Sequence, residues 1–109
     1  MISTTIRERY LQDPLPIRLG GLAADLARIA SCAGNPRNRS AVSTLLEEGK
    51  YLAEWAAPDA PLETQAVLAE VQLQLAHWHR RWLAGQPVPQ MTEAAQRWSE
   101  RLLHLAGLG

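Results

Sequence analysis

The chain contains no phenylalanine and one cysteine, Cys32. A lone thiol forms no disulfide within the chain and builds no cysteine-rich zinc site. It reads as a small, partly buried apolar residue, because nothing near it in sequence supplies the base a reactive thiolate needs. Charge of one sign is missing too: 11 lysines and arginines balance 11 aspartates and glutamates. Nucleic-acid binders draw most of their affinity from phosphate neutralisation, so here such binding would rest on a local patch. No apolar run approaches the roughly 20 residues of a membrane-spanning helix. The opening "MISTTIRERYLQDP" carries no signal-like apolar run, being interrupted by Arg7, Glu8 and Arg9. The expectation is a cytoplasmic protein. Valine and isoleucine are sparse and never alternate over a useful length, which argues against strands.

What is present is helical material. The 109 residues suffice for one domain, and 47% are hydrophobic, enough for a core. Turn signals divide the chain. "QDP" offers Asp13 as a helix N-cap with Pro14 behind it, and "AGNPR" offers Gly34 to end one helix and Asn35 to cap the next. "APDAPLE" offers Asp59 as a cap, and "AGQPVPQMTE" is the longest break, with Gln90 or Thr92 to start the last helix. The expected helices cover 14–33, 36–57, 60–84 and 91–106, preceded by a short helical turn at 4–11. Each carries a seven-residue rhythm: Leu15, Leu19, Leu22, Leu26 and Ile29; Val42, Leu45, Gly49, Leu52 and Ala56; Leu68, Val71, Leu75, Trp78 and Trp82; Met91, Ala95, Trp98, Leu102 and Leu105. Antiparallel helices packed at a shallow angle show this pattern. The expected fold is therefore all-α, a single up-down-up-down four-helix bundle.

The segment 60–84 stands apart. Opposite its leucine and tryptophan face lies a second apolar strip of Leu62, Ala66, Ala69, Leu73 and Ala76. A helix apolar on two sides wants partners on two sides. The helix over 14–33 also has a strip of small residues, Gly20, Ala23, Ala24, Ala27 and Ser31. The economical solution is a homodimer. The alternative is a skewed bundle in which the segment 60–84 lies centrally and the N-terminal residues cover its back. Tyr51 and Trp55, one turn apart, are further candidates for a protein contact.

The run "HWHRRW" at 77–82 looks like a chemical site, but its letters point in different directions. His77 and His79 are about 200° apart on a helix, whereas two ligands from one helix need a spacing of three or four residues. His104 lies on another helix, and no Glu-x-x-His pair exists to build a bundle metal site. Trp78 and Trp82 read as core. No metal or other cofactor is expected.

The best local ligand candidate is the turn "GNPRNRS". Arg37, Arg39 and Ser40, with free N–H groups at a helix start, resemble an anion-binding arrangement for phosphate or a nucleic-acid backbone. Nucleophile context is absent around Ser3, Ser31, Ser40, Ser43 and Ser99, and Gly20–Gly21 follows no strand. The spacing of Arg97 and His104 resembles the Arg/His motif of the HEPN helical ribonucleases, but the rest of that pattern is missing. The runs "RERYLQDPLPIRLGGLAADLARIAS" and "LLEEGKYLAEW" resemble small uncharacterised helical proteins of bacteria, cyanobacteria among them. That resemblance implies a helical fold and transfers no activity. The leading expectation is a non-enzymatic interaction domain that self-associates, with an unidentified protein partner in addition. The rival is a nucleic-acid or phosphate-ligand module built on residues 37–40.

Overall fold

The computed structural model describes residues 4–108. Among them the fold is all-α, with five helices and no strand. The helices are α1 (Thr4–Gln12), α2 (Leu15–Cys32), α3 (Arg39–Ala56), α4 (Leu62–Leu83) and α5 (Met91–Leu105). Two single 3₁₀ turns, Pro36–Asn38 and Ala57–Asp59, bracket α3.

Several helix ends are made differently from the expectation. Asp13 does not cap α2. Pro14, with ψ 150°, takes the N-cap position, and its carbonyl accepts from the N–H groups of Ile17 and Arg18. The Asp13 carbonyl accepts instead from Arg18 Nε at 3.0 Å. Gly34 is not left-handed; α2 passes into Ala33 in the right-handed region. Asn35 does cap, its Oδ1 accepting from the Arg37 N–H at 3.0 Å, but what it heads is the 3₁₀ turn. Asn38 Nδ2 then donates to the Cys32 carbonyl, one of the acceptors left over at the end of α2. Asp59 caps nothing and forms an ion pair with Arg18 at 3.0 Å.

The far ends of α4 and α5 share one device. Gly85 has φ +71°, its N–H donates to the Trp82 carbonyl, and Gln86 N–H donates to that of Arg81. Gly107, at φ +76°, and Leu108 repeat the pair of bonds onto His104 and Leu103. This is the Schellman closure, which needs a left-handed residue and so favours glycine.

α2 and α3 form the centre. α5 packs along one side of α2, α3 along the other, and α4 lies on the far side of α3. The apolar stripes meet in one core that includes Leu22, Leu26, Ile29, Leu46, Leu68, Leu75 and Leu102. Close approach is arranged by small residues. Gly49 leaves a notch filled by Leu75: an added Cβ would lie 2.9 Å from its Cδ1. On α2 the small strip is used by α5. Ala23 is buried there, and Ser99 Oγ donates to its carbonyl at 2.7 Å. α4 and α5, though consecutive, barely touch. The segment 84–90 between them is the longest link and lets them diverge. Nor does α4 lie centrally: α1 rests on α3, through Tyr10, and leaves the back of α4 uncovered.

Candidate functional site

The HWHRRW cluster divides between core and surface. Trp78 is buried in the core. Trp82 is half-buried; its indole N–H donates to the Arg39 carbonyl at 3.0 Å, and the Arg39 guanidinium lies 4.9 Å from its ring centre. His77 and Arg80 are exposed, and Arg81 Nε donates to the Pro87 carbonyl. His79 is buried between α3 and α4. Its Nδ1 lies 2.9 Å from Lys50 Nζ and its Nε2 3.5 Å from Ser43 Oγ. Burial first, and the Lys50 charge second, hold this imidazole below its ordinary titration range, against an opposing pull from Glu47. A serine beside a histidine invites a hydrolase reading, but the proton is on the wrong nitrogen. Lys50 donates to Nδ1, so the neutral ring carries its hydrogen on Nε2 and donates toward Ser43. It cannot take the Ser43 proton.

The basic turn holds one committed arginine. Arg37 is exposed, with its backbone N–H taken by Asn35. Arg39 covers Trp82 and donates from Nη2 to the Trp82 carbonyl at the end of α4, where a cation suits the helix dipole. Ser40 is exposed, and its carbonyl accepts from Thr44 Oγ1. Arg39, Ser40, Ser43, Trp82 and Leu83 line an open groove of about 360 Å³.

Tyr51 and Trp55 belong to a small aromatic cluster with Tyr10. The Trp55 ring lies 5.6 Å from that of Tyr51 and 5.9 Å from that of Tyr10. The Tyr10 hydroxyl lies 3.0 Å from the Leu52 carbonyl and 3.2 Å from that of Arg18. α1 thus already occupies one edge of this cluster, and both Tyr51 and Trp55 are half-buried.

The strip on α4 is where apolar surface stays open. Leu62 is 83% exposed and Leu73 74%, with Ala66 and Ala69 exposed between them. Ala76, the last of the expected strip, is half-buried, and beyond it the same face continues past the exposed Arg80 to Leu83, itself 65% exposed. Beside it, the divergence of α4 from α5 leaves a groove of about 440 Å³ lined by Leu73, Ala76, Trp98, Glu70, His77 and Arg80, among others.

Sequence reading missed Asp25. It lies within the apolar arc of α2, only 3% exposed, and its Oδ2 has no hydrogen-bond donor while both it and the neighbouring Glu48 are ionised. Burial, then the hydrogen bond and charge of Glu48, push its carboxyl up to about 8, while Arg28 pulls the other way. The signal was available: Asp25 falls between Leu22 and Ile29 on the core-facing arc, where a buried carboxylate is costly, and Arg28, 3.5 Å from its Oδ1, is its ion-pair partner. Neither carboxyl lines the main surface grooves among the described residues.

The remaining residues do not converge. Arg97 and His104 are exposed two turns apart on α5. Ser31 Oγ donates to the Arg28 carbonyl and lies 3.8 Å from the Cys32 sulfur. Ser3 lies outside the described residues. Among the described residues, no three His, Cys, Asp or Glu side chains are grouped to hold a metal, and no helix is long and apolar enough to cross a membrane. No family model, curated protein or solved structure matches the chain.

Proposed function

We propose that this protein is a non-enzymatic interaction domain of the cytoplasm, an up-down-up-down helical bundle that self-associates as a homodimer. The observation that carries this reading is the outer strip of α4. Its leucines and alanines are set at core spacing yet face away from α3, and among the described residues Leu62, Ala66, Ala69 and Leu73 stay exposed. An apolar strip rimmed by Glu63, Glu70 and His77, and interrupted only by Arg80 near its end, is the composition of a contact surface. The small strip of α2 offers less: α5 buries it at Ala23, and its exposed members, Ala24 and Ser31, present no large apolar side chain. The basic turn at residues 37–40 is the weaker basis for function, since Arg39 is engaged by Trp82.

The test is Leu73→Glu, read by light scattering on an eluting column. Leu73 is exposed within one chain, so the variant should keep its helical circular dichroism. A buried charge at a contact is strongly unfavourable, so self-association should weaken at least 10-fold. An unchanged mass distribution would remove α4 as the contact.

A further inference from the structure

We infer that two copies of the chain pair antiparallel along α4, with the two Leu73 side chains meeting at the two-fold axis. This rests on the self-association reading above and adds its orientation and register. The exposed strip runs Leu62, Ala66, Ala69, Leu73, Ala76, Arg80, Leu83, at alternating spacings of four and three. Such a series reads nearly the same from either end, with Leu73 in the middle. A two-fold contact demands that property, because each residue must meet the strip running backwards. In this register Leu62 meets Leu83 of the second copy, Ala66 meets Arg80, Ala69 meets Ala76, and Leu73 meets its own equivalent. Large side chains fall at the ends and centre. The alanines between them let the backbones approach, and a repeat of seven sustains a shallow left-handed crossing.

Charge selects the orientation. Glu63 and Glu70 flank the N-terminal half of the strip, and His77 and Arg81 flank the C-terminal half, within which Arg80 adds a further positive charge. This polarity also suits the helix dipole of α4 itself. These side chains share one flank of the strip, so parallel copies would carry them to opposite sides of the pair and leave the charges unmatched. Antiparallel copies set the glutamates of one against the basic end of the other, the arrangement that fixes register in paired helices. Trp98 of α5, across the groove from Leu73, borders the seam on one side.

Disulfide trapping decides the arrangement. In a Cys32→Ser background, one chain carries Leu62→Cys and a second, tagged to differ in size, carries Leu83→Cys. Leu73 stays intact in both. Under mild oxidation the mixture should give a disulfide joining the two different chains. Leu62→Cys alone should give none, since its equivalents would lie roughly 30 Å apart across an antiparallel pair, far beyond disulfide reach. Disulfides joining like chains only would mean parallel pairing. No disulfide in any mixture, with sedimentation still showing two chains together, would mean another face. Either result overturns the arrangement and leaves self-association standing. If the unmodified chain sediments singly at every concentration, self-association and the arrangement fall together.

Discussion

Asp25 sits where an ionised carboxylate is least stable, between α2 and α3 beside a second carboxyl. Its pKa near 8 in the fold exceeds the ordinary value of 3.8, so the folded state holds a proton that the unfolded chain releases. Its contribution to stability is complete below the unfolded value and is lost as pH rises toward 8. Asp25→Asn keeps the shape and removes the titration. The unfolding free-energy gain of Asp25→Asn over the parent, measured by chemical denaturation, should therefore widen between pH 4 and pH 8, reaching roughly 1–3 kcal/mol at the upper end. A gain that is flat with pH would show that the carboxyl is not held protonated. His79 works in the opposite sense. Its depressed pKa means stability is lost as pH falls below about 6.5, so just below that pH the two groups act in opposite directions. Asp25 was recoverable from its place in the helical period. The His79–Lys50 contact was not, because it joins residues 29 positions apart.

At the scale of the helices, glycine tests the local rules from both sides. Gly21 lies inside α2 with open space where a Cβ would go, so Gly21→Ala should stabilise by roughly 0.5–1 kcal/mol through helix propensity alone. Gly85 closes α4 in the left-handed region, so Gly85→Ala should destabilise by about 1–2 kcal/mol. Chemical denaturation of the two variants against the parent measures both, and equal signs would contradict the assignment of the helix ends. The helices themselves were legible because leucine spacing is a local property: the expected 14–33 is Leu15–Cys32, and the expected 60–84 is Leu62–Leu83. Their caps were less so. Asp59 has the composition of an N-cap but is drawn to Arg18, 41 positions away, and that pull is invisible in a window of ten residues. Gly34 is similarly displaced from its expected part, because Asn38 satisfies the end of α2 through the Cys32 carbonyl.

Across the whole molecule, two surplus apolar faces were legible, but which one stays open was not. Periodicity marks a strip as apolar and says nothing of which neighbour covers it. α5 takes the small strip of α2 only in part, burying Ala23, whose carbonyl Ser99 bonds, and leaving Ala24 and Ser31 exposed; the long link 84–90 lets α5 swing away from α4. The outer face of α4 is left over. Burying the three exposed leucines of each copy, six in the pair, would contribute roughly 1.5–3 kcal/mol apiece. Association itself costs about 4–15 kcal/mol. Gain and cost are of the same order, so the pair should be reversible and concentration-dependent. The most direct measurement is sedimentation equilibrium of the unmodified chain from sub-micromolar to hundreds of micromolar. The mass should climb from 12.1 kDa toward twice that value, with no higher species. A mass of one chain throughout would contradict the account.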